Sequence, residues 1–209
     1  MSLKTFASKL FAVAALSTAA FLPQTGLAQQ STYQTLPQAL PSDTSGKIEV
    51  LEFFAYSCPH CAALEPLLEK WEKTLPDNVV LKRVPVAFNA SMVDLQRLYY
   101  ALESMGRLDL HAKVFQAIHK DHQRIFDQAA IAKWLAAQGV DAKQYEAAAQ
   151  SFGVTSKVNR ANELEQAYQV QGTPTLGVGG KYVTSPSMTG SYQGTIDQAQ
   201  KLLNQVLGK

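Results

Sequence analysis

The spacing of apolar residues changes along the chain, and each change marks a different structural element. A run of mainly β-branched, aromatic and aliphatic residues from Ile48 to Tyr56 predicts a strand. From Cys58 to Leu75 the apolar residues return at helical spacing and form one stripe. A further apolar run, Val79 to Val86, predicts a second strand. Because a helix connects them, the two strands should be parallel and joined by a right-handed crossover.

Helical periodicity then continues from residue 91 to residue 168. Polar caps and glycines divide this segment into five predicted helices. Ser91 with Asp94 gives a capping box for the first helix, while Asp127 and Asp141 cap the third and fourth. The five predicted helices end at Gly106, His119, Gly139, Gly153 and Tyr168, and the last begins at Ser156.

Residues typical of β-strands return after this helical block. Gly172-Thr173-Pro174-Thr175-Leu176 enters one strand, and Gly179-Gly180 turns the chain into another over Lys181 to Thr184. A proline at the start of a strand either marks the edge of a sheet or forms a cis peptide bond that the function requires. Thr195 then caps the last predicted helix.

The order of these elements indicates an α/β domain that is interrupted by an all-helical subdomain. Its predicted parts are residues 47–90 (βαβ), the helical insertion at residues 91–169, and residues 170–209 (ββα). Residues 29–46 are polar, contain two prolines and are predicted to form a loose arm. Within the arm, Thr32 to Leu36 could add an edge strand.

The first 28 residues have the organisation of a secretory signal peptide. Two lysines precede an apolar run from Leu10 to Leu22, and small residues near Ala28 offer a cleavage site, with a cut after Ala20 as an alternative. The apolar run is shorter than a transmembrane helix requires. We therefore expect residues 1–28 to be removed on export.

The composition of the chain makes some classes of function poor candidates. Of the 209 residues, 46% are hydrophobic, which permits a sizeable core. The leader contains two of the 19 basic residues and none of the 17 acidic ones, so the rest of the chain carries 17 of each. A chain without basic excess is a poor candidate for binding nucleic acid or a membrane surface. Export would place its two cysteines in an oxidising compartment.

The chemistry of the chain is concentrated in Cys58-Pro59-His60-Cys61, where the first strand meets the first helix. Pro59 suits the first helical position, because its missing N–H is no loss there. Cys58 then lies at the helix start, where free N–H groups and the helix dipole favour a thiolate. His60 can add a positive charge or a hydrogen bond. Cys58 is therefore the predicted nucleophile and Cys61 the buried resolving sulfur. The pair should be oxidising, because only its reduced form contains the stabilised anion.

Two other roles are open to a Cys-x-x-Cys pair. A structural zinc site needs four ligands, and the chain has no second cysteine pair, while His111, His119 and His122 lie far along the sequence. A structural disulfide can occur in an exported protein, but a pair that opens a helix is poorly suited to holding distant segments together. We therefore expect a redox-active pair and no metal.

Glu52 interrupts the apolar pattern of the first strand. Side chains alternate along a strand, so Glu52 shares a face with Val50 and Phe54 and should be buried, with its pKa raised by desolvation. It precedes Cys58 by six residues and should point beneath the helix that carries the thiols. We expect Glu52 to exchange a proton with Cys61, directly or through water. The alternative is an edge strand with Glu52 in solvent.

These features together resemble the DsbA group of exported thiol–disulfide oxidoreductases. The resemblance covers essentially the whole chain after the leader. It rests on Glu52-Phe53-Phe54, Cys58-Pro59-His60-Cys61, Gly172-Thr173-Pro174 and the position of the helical block. It implies a thioredoxin-like fold with an inserted all-helical subdomain, a depressed pKa for the nucleophilic cysteine and an oxidising potential.

The resemblance also implies roles for individual residues. Cys58 would form the mixed disulfide with substrate, Cys61 would resolve it, and His60 with the helix start would stabilise the thiolate. Pro174 would be the cis-proline opposite the thiols, and the Thr173 backbone would pair with an extended substrate.

Partners and a second charged residue follow from the same resemblance. Glu52 matches the buried acid of the group, and a basic residue beside it is usual, for which Lys82 and Arg83 are both candidates. The disulfide would be donated to reduced exported polypeptides in the periplasm. A DsbB-type membrane partner, which passes electrons to quinone, would reoxidise the pair. No flavin, metal or nucleotide is required, and a monomer is expected.

Three other activities are open to the same residues. A disulfide isomerase or reductase is the nearest, but isomerases of this fold commonly carry an N-terminal dimerisation domain, and only Gln29 to Lys47 precede the first strand. A peptide-binding chaperone would keep its activity without Cys58. A thiol metallochaperone would contain metal after purification.

Overall fold

A computed structural model describes residues 31–209, and a five-stranded mixed sheet lies at its centre. The strands are β1 (Gln34–Thr35), β2 (Ile48–Phe54), β3 (Val79–Pro85), β4 (Thr175–Val178) and β5 (Tyr182–Thr184). Their order across the sheet is β1-β5-β4-β2-β3. The predicted leader, residues 1–28, lies outside the described residues.

The helices of residues 31–209 pack around this sheet. They are α1 (Pro59–Glu72), α2 (Val93–Ser104), α3 (His111–His119), α4 (Gln128–Ala137), α5 (Ala142–Ala149), α6 (Phe152–Ala167), α7 (Pro186–Thr189) and α8 (Tyr192–Val206), with short 3-10 turns at Ala90–Met92 and Leu108–Leu110. Helices α2 to α6 all lie between β3 and β4 in the sequence, so the predicted α/β fold with a helical insertion is confirmed. None of the helices in this range has the length and apolar character that crossing a bilayer demands.

Strand β2 has a neighbour on each side. It runs parallel to β3, with Glu52 opposite Arg83, which confirms the predicted βαβ unit. It runs antiparallel to β4, with Glu52 opposite Leu176. Strand β1, which falls within the predicted arm, adds an antiparallel edge to β5. Because β2 is an interior strand, the alternative of a solvent-exposed Glu52 on an edge strand is wrong.

Two hydrophobic clusters pack against β2. One joins Phe53 to the apolar faces of α2 to α6. The other joins Val50 to Leu68 of α1 and Leu203 of α8. Since side chains alternate along a strand, Glu52 lies on the same side as Val50, beneath α1. The sheet thus places one carboxyl group directly under the helix that carries the thiols.

The predicted capping box of α2 is wrong. A 3-10 turn precedes the helix, and its cap is Asn89, whose side chain accepts a hydrogen bond from the Ser91 backbone at 3.0 Å. The Asp94 carboxylate instead accepts from the Gln128 backbone at 3.2 Å and so ties α2 to the start of α4. A tertiary partner therefore uses the oxygen that the local pattern assigned to the cap.

The starts of α6 and α8 also differ from the predictions. Ser151 caps α6 by accepting from the Val154 backbone at 3.2 Å, so Gly153 lies inside this helix rather than ending the one before it. Ser191 caps α8, and the predicted cap, Thr195, is fully buried one turn later. Several short polar side chains lie near the start of each of these helices, and local spacing does not choose between them.

Candidate active site

Cys58 is the N-cap of α1, at the point where the chain leaves β2. Its backbone is extended (φ −89°, ψ 115°), and Pro59 occupies the first turn. The Cys58 N–H donates to the Ala55 carbonyl oxygen at 3.0 Å, which closes the turn between strand and helix. Cys58 is partly exposed, Cys61 is fully buried, and both are free thiols in this structure.

The surroundings of Cys58 favour its thiolate. The pKa of Cys58 is lowered most by a hydrogen bond from the Cys61 side chain, whereas partial burial raises it. The Thr173 side chain and the backbone N–H groups of Cys61 and His60 lower it further, and the net result is a fall from 9.0 to about 5. A protonated Cys58 can donate to the Thr173 carbonyl oxygen at 3.3 Å, a contact open only to the thiol form. At neutral pH the thiolate is therefore the main form.

Cys61 has the opposite preference. Burial raises the pKa of the Cys61 thiol far above its ordinary range, and the neighbouring Cys58 and Glu52 act in the same direction. Two sulfurs one helical turn apart are thus held in different protonation states. Only Cys58 is a nucleophile at neutral pH, as the sequence predicts.

Glu52 is completely buried on β2. Within residues 31–209, neither of its carboxyl oxygens has a hydrogen-bond partner. Burial raises the pKa of Glu52 well above its usual 4.5, the nearby Glu65 adds to this effect, and Arg83 opposes it. The predicted burial and raised pKa are confirmed. Proton exchange with Cys61 stays a prediction.

Arg83 is the basic residue beside the buried acid. Its Nε lies 3.7 Å from Glu52 Oε2, and its Nη2 lies 2.6 Å from Glu65 Oε1. Lys82 points to the other side of β3, where its Nζ lies 3.0 Å from Glu49 Oε1. Lys82 and Arg83 were both candidates for this role from the sequence, and the structure places only Arg83 against Glu52.

His111 belongs to the same buried cluster, although no role at the site was predicted for it from the sequence. Its side chain is buried, and its Nδ1 lies 2.7 Å from the Tyr56 hydroxyl oxygen. Its Nε2 lies 3.4 Å from Glu65 Oε2, an ion-pair distance. The burial of His111 could have been predicted from the sequence, because it stands three residues before Val114 and seven before Ile118, on the apolar face of α3. A histidine at such a position is buried and needs a polar partner.

Glu65 remains charged within this cluster. Burial favours its neutral form, but the adjacent His111 and Arg83 outweigh that effect and lower the pKa of Glu65. A cleft of about 490 Å³, lined in part by these three residues, opens beside them. The pKa values of the buried pair are therefore shifted in opposite directions, upward for Glu52 and downward for Glu65.

Thr173 and Pro174, from the C-terminal part of the chain, form the side of the site that faces Cys58. The Thr173–Pro174 peptide bond is cis, as the resemblance implies, and the Thr173 carbonyl oxygen lies beside Cys58. A groove of about 670 Å³ extends from this point along residues 169–175, 185–188 and 190–192. The Thr173 carbonyl oxygen thus connects this groove to Cys58 Sγ.

His60 is exposed, and its imidazole is held from outside its own helix. Its Nδ1 lies 2.7 Å from the hydroxyl oxygen of Tyr192, at the start of α8. The part of His60 that contributes most to the lowered pKa of Cys58 is its backbone N–H. Sequence reasoning selected His60 but had no means of finding Tyr192, which is 132 residues away.

The histidines of α3 have partners of their own. His119 Nε2 lies 2.8 Å from the Tyr56 carbonyl oxygen, and His111 bonds the hydroxyl of the same tyrosine. Across residues 31–209, no three His, Cys, Asp or Glu side chains cluster in the way a metal ion requires.

Two protein-family models match the chain. The DSBA-like thioredoxin domain matches residues 73–197, and the thioredoxin model matches residues 29–101, which include both cysteines.

Relatives with known names agree with these matches. The chain is 48% identical over 206 residues to the thiol:disulfide interchange protein DsbA of Bordetella parapertussis, covering 98% of this chain and 99% of the relative. It is 37% identical over 172 residues to the protein of that name from Pseudomonas aeruginosa, covering 82% of each chain.

Solved structures give the same result for the fold. The crystal structure of Pseudomonas aeruginosa DsbA superimposes with a TM-score of 0.81 at 36% identity, covering 85% of this chain and 93% of the other. The oxidoreductase NmDsbA1 from Neisseria meningitidis superimposes with a TM-score of 0.74 at 31% identity, covering 88% of this chain and 96% of the other.

Proposed function

Because the chain belongs to the DsbA family and is a thiol:disulfide oxidoreductase, we propose that it works as an oxidase that donates its Cys58–Cys61 disulfide to exported polypeptides. One observation carries the direction of transfer. The reduced pair contains a strongly favoured thiolate, since the pKa of Cys58 is about 5. A stabilised anion that exists only after reduction makes the disulfide the less stable form.

The transfer proceeds in two exchanges. A substrate thiolate attacks Cys58 Sγ, the Cys58–Cys61 bond breaks, and a mixed disulfide forms on Cys58. The second substrate thiolate attacks the substrate sulfur of that mixed disulfide, and Cys58 leaves as a thiolate. The substrate loses two electrons and two protons to become a disulfide, and the protein pair gains the electrons. One proton ends on Cys61 and the other enters solvent.

Glu52 supplies the proton that Cys61 needs in the first exchange. Burial holds the pKa of Cys61 very high, so its departure as a bare anion would be slow. The neutral carboxyl of Glu52 lies under α1 and serves as a general acid, directly or through a water molecule. Arg83, at 3.7 Å, then stabilises the carboxylate that remains.

An extended segment of substrate pairs with the Thr173 backbone and lies in the groove beside Pro174. The Thr173 carbonyl is 3.3 Å from Cys58 Sγ, so a strand paired there brings its own cysteine to the reacting sulfur. Main-chain pairing accepts many sequences, which suits a protein with many clients.

The cellular setting follows from the family and from the leader. Residues 1–28 direct the chain to the periplasm, and reduced exported polypeptides are its substrates. A DsbB-type membrane oxidase restores the disulfide and passes the electrons to quinone. The protein itself needs no flavin, metal or nucleotide and acts as a monomer.

Equilibration with glutathione tests the direction of transfer. The wild-type disulfide should be reduced at glutathione ratios that leave an ordinary structural cystine intact. Incubation of Cys61→Ala with a peptide disulfide should trap a mixed disulfide on Cys58, and Cys58→Ala, the matched control, should trap none. A wild-type pair as resistant to reduction as a structural disulfide, with a Cys58 pKa near 9.0, would overturn the oxidase proposal.

A further inference from the structure

Tyr192 contacts the redox motif from the far end of the chain. It is the first residue of α8, and its hydroxyl oxygen lies 2.7 Å from His60 Nδ1. The two ring centroids are 6.2 Å apart, with an interplanar angle of 42°. His60 is otherwise an exposed side chain on the first turn of α1. One hydrogen bond therefore decides where the imidazole of an active-site residue sits.

Packing and a helix cap hold Tyr192 in place. Its ring is half-buried and packs against the hydrophobic cluster that joins β2, α1 and α8. Ser191, immediately before it, caps α8 by accepting from the Gly194 backbone at 2.9 Å. A hydroxyl on such a support loses little entropy when it bonds a partner, whereas a free imidazole would sample several rotamers.

We propose that Tyr192 is a positioning residue for the redox pair: its hydroxyl fixes the imidazole of His60 and thereby the electrostatic effect of that ring on Cys58. An electrostatic effect falls with distance and with solvent screening, so a ring that wanders into solvent acts less on the sulfur. Loss of the hydroxyl should weaken the stabilisation of the thiolate and make the pair less oxidising.

The same contact reaches the substrate groove. His60 and Tyr192 both line the groove that contains Thr173 and Pro174. A polypeptide seated there touches the tyrosine that holds the imidazole. This part of the inference rests on the proposed oxidase function, because it assumes that a substrate chain occupies the groove.

A double-mutant cycle tests the positioning role. Tyr192→Phe removes only the hydroxyl and should raise the pKa of Cys58 by about 0.5 units, a threefold loss of thiolate stabilisation. The glutathione equilibrium constant should shift about threefold toward the disulfide form. In a His60→Ala background, Tyr192→Phe should change neither quantity. The readouts are thiolate absorbance against pH and the fraction oxidised in glutathione buffers.

Tyr182→Phe is the matched control, because Tyr182 is on β5 and stacks edge-to-face on Tyr33, away from the thiols. It should leave both readouts at the wild-type values. Equal titrations of Tyr192→Phe and wild type would overturn the inference, and so would an undiminished shift in the His60→Ala background. Failure of the oxidase proposal would look different, because the wild-type pair itself would then resist reduction by glutathione.

Discussion

The preference of Cys58 for the thiolate makes the stability of the reduced protein depend on pH. The pKa of Cys58 is 9.0 in an unperturbed thiol and about 5 in the folded reduced protein. The folded value is the lower one, so ionisation stabilises the fold. This contribution is absent below about pH 5, grows between about pH 5 and 9, and is complete above that range.

The size of the effect at neutral pH follows from the same values. One pKa unit corresponds to about 1.4 kcal/mol, so the two units between pH 7 and the folded pKa give about 2.7 kcal/mol. Cys58 is partly exposed, and screening by solvent reduces the expected figure to about 2 kcal/mol. Expressed as a potential, this makes the pair about 40 mV more oxidising than an unperturbed one.

Urea unfolding of the reduced protein measures the effect. Wild type and Cys58→Ser, which has no ionisable group at this position, are unfolded with excess phosphine reductant at about pH 5 and about pH 7. The free energy of unfolding of wild type, relative to the serine variant, should be about 2 kcal/mol larger at the higher pH. Both proteins contain Glu52, whose raised pKa has the opposite pH dependence and largely cancels in the comparison.

A constant difference between the two proteins would refute the reasoning. If the difference changed by less than about 0.5 kcal/mol over this interval, the folded state would not stabilise the thiolate. The case for an oxidising pair would then lose its physical basis. In the oxidised wild-type protein no Cys58 thiol exists, so the disulfide form should lack this pH dependence.

Three further predictions concern the charged cluster below the thiols. Glu52→Gln should keep the fold but slow the first exchange at neutral pH by at least about tenfold, because an amide cannot supply the proton; unchanged stopped-flow kinetics would exclude Glu52 from the reaction. Arg83→Met should cost about 3 kcal/mol in urea unfolding, because it removes the guanidinium that pairs with the buried Glu65 carboxylate, whereas Lys82→Met should cost less than about 1 kcal/mol; equal losses would contradict the assignment of Arg83 as the buried partner. Tyr56→Phe should cost about 1–2 kcal/mol, because it leaves the buried His111 without its hydroxyl partner; a neutral result would show that this bond contributes nothing.

The local features of the site could be predicted from the sequence because they depend on neighbouring residues. The Cys-Pro-His-Cys motif follows a strand and opens a helix, and this arrangement alone indicates which sulfur is exposed and which is buried. The burial of Glu52 follows from the alternation of side chains along one strand. In both cases the relevant partners lie within about two turns of helix or a few strand residues.

The remaining features depend on pairings that local patterns do not encode. Lys82 and Arg83 are adjacent and point to opposite faces of β3, so the choice between them depends on the register in which Arg83 stands opposite Glu52. The contacts of His111 with Tyr56 and of His60 with Tyr192 join residues that are 55 and 132 positions apart. The wrong cap of α2 has the same origin, since Asp94 is used by a distant helix.

The position of β4 has a consequence for a chain that is synthesised from its N-terminus. Strand β4 comes from the last forty residues, yet it lies in the interior of the sheet, between β5 and β2. Until it arrives, β2 has one open edge, and the wall formed by Thr173 and Pro174 is missing beside Cys58. A newly synthesised chain therefore carries its thiols for some time before the Thr173–Pro174 segment lies beside Cys58. Its maturation ends only when the C-terminal segment enters the sheet.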